Sequence, residues 1–240
     1  MNKKGIEWIT DILGDSPYEE LDIADRMAFK MGQIYWTPIK YPFTPPIVLK
    51  TDKYDPTDES KTTFMLCQYN VDDTSQQLPI KSMKLRSDDR LFILQGKKRL
   101  AIVLGACETN WGYNHILEKG KEEKLVLCLP IFPFKNRHDQ KFIIDVQKFD
   151  YPNYFYIIPS PGSGLEEGAA RLELIQPIHK GDMQPYKSVN EKPLKLSDSL
   201  MKMLVYHISR YFALNTLNEL DDDLNAYRQI INEKLKSMVK

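Results

Sequence analysis

Few residues of this chain are suited to chemistry at neutral pH. His138 sits in the polar run Lys135-Asn136-Arg137-His138-Asp139-Gln140. An imidazole there can take or give a proton near pH 7, and it fits an exposed loop equally well. His179 lies in Pro177-Ile178-His179-Lys180-Gly181, which reads as a turn. His115 opens a helical stretch and His207 falls on an apolar helical face, so both read as structural. Gly96-Lys97-Lys98-Arg99 gathers three cations ahead of an apolar run, and locally it reads as a solvated turn. Between residues 111 and 156 the chain is rich in aromatics, among them Trp111, Phe132, Tyr151, Tyr154 and Tyr156, interleaved with Lys135, Arg137, Lys141 and Lys148. Exposed, such rings stack unpaired bases beside phosphate-seeking cations. Buried, they are core.

Other chemistries have no holder. There is no Walker-type loop, no His-Glu-x-x-His pair and no nucleophile elbow. The glycine-rich stretch Gly162–Gly168 precedes a strand rather than a helix, which makes it a poor phosphate cradle. Asp88-Asp89 and Asp221-Asp222-Asp223 have metal-ligand residue types, yet neighbouring carboxylates point apart and read as solvated caps. Cys67, Cys107 and Cys128 are distant from one another, which argues against a disulfide framework and a zinc site. The expectation is therefore no metal, no cofactor and reduced thiols.

The 240 residues are 42% hydrophobic and 28% charged, enough for a sizeable core. Lys+Arg and Asp+Glu both number 33. Proteins that wrap duplex DNA usually show a basic surplus, so any nucleic-acid contact here must come from a local patch. No run is long enough for a membrane span, and the first residues do not resemble a signal peptide, which predicts a cytoplasmic protein.

Elements must position these residues. The spacing predicts two short helices over residues 6–30. Gly32–Ile39 reads as a strand, and three more strand candidates lie between residues 47 and 96, separated by polar loops. Five runs follow: Lys97–Gly105, Lys124–Phe132, Lys141–Phe149, Asn153–Ser160 and Ala170–Ile178. Short strands at this spacing suggest an all-β barrel or sandwich. From Leu196 the period becomes helical, with Ser197 as a good N-cap.

In this order the pieces resemble the MazF/PemK-like toxins of toxin–antitoxin systems. Gly32-Gln33-Ile34-Tyr35-Trp36 is similar to the family's opening strand, and Arg99-Leu100-Ala101-Ile102-Val103 to the strand after its first loop. Leu125–Phe132 stands where the next central strand falls. Gly162–Met183 resembles its Gly-Leu turn, strand and charged segment, and Leu196–Phe212 its closing helix. The resemblance covers residues 31–40 and 96–213. It implies a mainly β fold with flanking helices, an SH3-like small β-barrel of MazF/PemK/CcdB type, within a single domain over 1–240. The barrel core would take 31–40 and 96–196, the helices 1–30 and 197–240, and residues 41–95 would be an insertion with strands of its own.

The resemblance also implies metal-independent cleavage of single-stranded RNA by a homodimeric growth inhibitor that pairs with an antitoxin. The 2′-hydroxyl attacks the adjacent phosphate, a base removes its proton and a cation holds the growing charge. Arg99 matches the family's arginine, whose planar fork binds two phosphate oxygens. His138 is the candidate acid or base. Lys97, Lys98, Lys135, Arg137 and His179 are the candidate nucleic-acid contacts. The family's hydroxyl partner would fall near Ile131, Phe132 or Pro133, and none carries a hydroxyl. That departure keeps open a second function: a module of the same fold that binds nucleic acid or a protein without cutting.

Overall fold

The computed structural model describes residues 16–41, 46–70, 72, 90–107, 125–134, 138–160, 162–212, 225–226, 229–230 and 233. The chain divides into two compact units, one of residues 1–38 and 98–240 and the other Ile39–Lys97.

The first unit combines antiparallel strands with helices, among them Gln140–Gln147 and Asp198–Tyr211. Its sheet contains β2 (Ile34–Lys40), β6 (Gly96–Cys107), β7 (Leu125–Pro133), β8 (Tyr154–Ile157), β9 (Gly168–Arg171), β10 (Gln176–His179) and β11 (Gln184–Pro185), in the order β11-β2-β6-β7-β9-β8. Strand β7 is long enough to serve two neighbours on one edge: Leu125–Cys128 pairs with β10 and Ile131–Pro133 with β9. Residues 180–183 alone join β10, on the β7 edge, to β11, on the β2 edge, and Lys180–Asp182 is a 3-10 turn. Four flat inter-strand spacings would separate those edges by about 19 Å. A 3-10 turn rises only ~2 Å per residue and cannot span that. The sheet is therefore curled. Among the described residues β10 and β11 do not pair, so it curls without closing.

Apolar alternation fills one side of this sheet with Ile102, Leu129, Ile131, Ala170, Phe155 and Ile157, all buried. Helix α2 (Asp198–Tyr211) contributes Leu200, Met201, Leu204, Tyr206 and His207 to the core. Its start is cut by Ser197, whose Oγ accepts the Leu200 N–H. A small sheet of β1 (Tyr18–Glu20) on β12 (Leu194–Leu196) lies at the entry to this helix. Tyr18 is drawn into the core, where its hydroxyl donates to the Ile158 carbonyl at 2.6 Å.

In the second unit β3 (Ile47–Lys53) is the centre of a three-stranded sheet, flanked by β4 (Thr63–Gln68) and β5 (Leu91–Ile93). Val48 is its buried centre, while Leu66 and Ile93 are exposed.

Three expectations give way. Residues 18–20 are a strand and 23–27 a 3-10 turn, where helices were expected; residues 1–15 lie outside the described set. Lys141–Phe149 is not a strand but lies on helix α1 (Gln140–Gln147) and its C-terminal turn. A short apolar run does not by itself distinguish the two states. Here Asp139 caps the first turn by accepting the Phe142 N–H at 2.7 Å, and Phe142, Val146 and Phe149 share a helical face. The run from Ala170 to Ile178 also breaks, into β9, a 3-10 turn at Leu172–Leu174, and β10.

Candidate functional site

Side chains alternate along a strand, so Arg99 and Lys98 leave opposite faces of β6. Ala101 pairs with Pro130 and Ile102 with Leu129. Continued two residues further, that register sets Arg99 across from Phe132. The Arg99 guanidinium carbon lies 4.9 Å from the centre of the Phe132 ring. On the other side of β7, Phe132 pairs with Ala169, and Arg171, two residues on, pairs with Tyr154 of β8. The Arg171 guanidinium carbon stands 5.3 Å from the same Phe132 ring and 5.7 Å from the Tyr154 ring. Two cations thus flank one half-buried phenyl ring.

The row continues through aromatics. Tyr154 meets Phe142 edge-on at 5.5 Å, Phe142 touches Tyr151 at 5.4 Å, and His138 stacks on Phe142 at 4.9 Å and 22°. His138 is exposed and also meets the edge of Phe134. Arg99, Phe132, Arg171, Tyr154, Phe142 and His138 therefore form one connected strip, with the two predicted catalytic residues at its ends.

A fixed layer supports the strip. Phe134 stacks on Tyr156 at 6.3 Å. The buried Tyr156 hydroxyl donates to Glu167 at 2.7 Å and accepts from Gln147 at 3.0 Å. Burial, and then the Glu167 carboxylate, hold this phenol above its ordinary range. Gly168 passes so close to the Phe132 carbonyl that a Cβ would collide with its oxygen. Glycine at 168 thereby lets β9 come close to β7 and bring Arg171 to Phe132.

The remaining predicted contacts are dispersed. Lys98 leaves the other face, where its Nζ donates to Gln184 at 2.8 Å and sits 5.7 Å from the Trp36 ring. His179 caps the 3-10 turn, its Nδ1 accepting the Gly181 N–H at 3.0 Å. Lys97 is exposed and belongs to the second unit. Lys135 and Arg137 lie outside the described residues, as do Trp111 and His115. His207 is buried, with Nε2 2.9 Å from the Tyr154 carbonyl oxygen, behind the strip. Reading the sequence alone did not single out Arg171, Glu173 or Phe142. No strand period signals the first two, because Arg171 ends β9 while Glu173 lies in the 3-10 turn that follows it.

Among the described residues no three His, Cys, Asp or Glu side chains gather in a metal-binding group. No described helix is long and apolar enough to cross a membrane. No protein-family model and no curated protein matches the chain.

Proposed function

We propose that this chain is a divergent MazF/PemK-like growth inhibitor on an SH3-like sheet, and that it acts on single-stranded RNA through the Arg99–His138 strip. The single observation that carries this reading is the placing of Arg99 and Arg171 against Phe132, in line with Tyr154, Phe142 and His138. Guanidinium groups meet phosphates with a planar fork, and aromatic rings accept the faces of unpaired bases. The curled sheet, with its 3-10 turn between β10 and β11, supports the SH3-like assignment. A homodimer, an antitoxin partner and a cytoplasmic location belong to the same proposal.

Of the two activities, binding is the one that the contacts favour. Cleavage requires a proton acceptor beside the phosphate held by Arg99. Ile131, Phe132 and Pro133 offer none, and His138 joins the strip through Phe142 rather than through Arg99. Fluorescence anisotropy with a labelled octauridine RNA, beside the same length of blunt duplex, tests the reading. Salt-dependent binding of the single strand with the RNA intact is the expected outcome. Shortened RNA that Arg99→Ala abolishes would establish the nuclease instead. Absence of any binding would remove the RNA reading.

A further inference from the structure

Within the strip, Arg171 forms an ion pair with Glu173. Arg171 donates from Nε and Nη2 to a single oxygen of Glu173, at 2.8 and 2.5 Å. The two side chains are only 27% and 18% exposed. The other Glu173 oxygen is buried without a hydrogen-bond partner, so the carboxylate is held within the site and not turned out to solvent. A phosphate seated on Arg171 would have to face this half-buried anion, and solvent there does little to screen the repulsion. A nucleobase carries no net charge and meets no such penalty. The pairing also fixes the guanidinium plane beside Phe132 and Tyr154, and guanidinium planes and aromatic rings are the surfaces on which unpaired bases stack.

We propose that Arg171, held and neutralised by Glu173, forms with Tyr154 a base-stacking platform rather than a phosphate contact. The ligand is then an unpaired nucleotide whose base lies on Arg171 and Tyr154, in the middle of the strip. This rests on the RNA reading above and assigns the middle of the same site.

The test measures the dissociation constant of the full chain for labelled octauridine across roughly 50–200 mM salt, where each phosphate contact to a single strand adds about 0.7 to the log–log slope. The double variant Arg171→Ala/Glu173→Gln, which removes both charges of the pair, should weaken binding about five- to a hundredfold, the range for loss of one stacked base, and leave the slope unchanged. Glu173→Gln should raise the slope by about 0.7 by freeing the charge of Arg171. An abasic oligomer of equal charge should bind wild type more weakly at the same slope, which needs no variant to fold. If wild type binds octauridine but the double variant lowers the slope by about 0.7, or abasic and uridine oligomers bind alike, the platform is wrong and the RNA reading stands. If wild type binds neither oligomer, both fall.

Discussion

The guanidinium carbon of Arg99 lies 4.9 Å from the centre of the Phe132 ring. That contact sets the cation against the ring at the strip's end. Lysine keeps the charge at this position but lacks the planar fork and stacks less well. Arg99→Lys should therefore weaken octauridine binding about tenfold, or roughly 1.4 kcal/mol, with an unchanged salt slope. Arg99→Ala should also lower the slope by about 0.7. Equal behaviour of the lysine variant and wild type in the anisotropy titration would remove the stacking contribution.

Gly168 is required by the approach of two strands. A methyl group there meets the carbonyl oxygen of Phe132, and backbone cannot yield as a flexible side chain does. Gly168→Ala should cost about 3 kcal/mol, the upper end for overpacking, and lower Tm by roughly 6–12 °C for a chain of this size. Calorimetry decides it; a shift below about 2 °C would mean that β9 moves aside freely.

Phe149 ends helix α1 in the left-handed region, with φ of 58°. The Asp150 N–H reaches the Asp145 carbonyl and the Phe149 N–H that of Val146, a Schellman arrangement that usually takes glycine. Packing explains the exception: the ring is buried against Phe155 and His207. Phe149→Ala loses the ring and keeps the strain, for a cost of about 3–5 kcal/mol. Phe149→Gly loses the ring and relieves about 1 kcal/mol of strain. Denaturant midpoints should therefore rank wild type above Gly and Gly above Ala, the last two in the reverse of their helix-propensity order.

Burial raises the phenols of Tyr18, Tyr35 and Tyr156, that of Tyr35 to about 12. Unfolded, each titrates near 10, so above that pH the unfolded state has lost protons that the folded state retains. Stability is therefore fully present below pH 10 and declines as pH rises, by up to about 1.4 kcal/mol per pH unit for each such tyrosine. Tm should fall steeply between pH 10 and 12, and Tyr35→Phe should make that fall shallower. A Tm independent of alkaline pH would contradict the burial of these hydroxyls.

Cys128 is buried in β7 and its thiol is pushed up to about 12 by that burial. Iodoacetamide at pH 8 should leave the Cys128 peptide unmodified in the folded chain and label it fully in denaturant, as mass spectrometry of a digest would show. Rapid labelling under native conditions would mean that β7 opens without global unfolding.

Local chemistry alone settled a good part of this protein. The continuous apolar runs of β6 and β7, the aromatic run of β8 and the Ser197 cap of α2 are legible because period and capping act within a few residues. The opposite faces of Lys98 and Arg99 follow from the same period of two. The helix at Gln140–Gln147 was not legible, because its apolar run fits either state until the Asp139 cap and the core select one. The strip itself belongs to tertiary structure alone. Phe132 meets Arg99 from one strand and Arg171 from another because β7 takes up a particular register on both edges. Registers between distant segments are chosen by burial of the whole sheet face and by the room Gly168 leaves, which no local window contains.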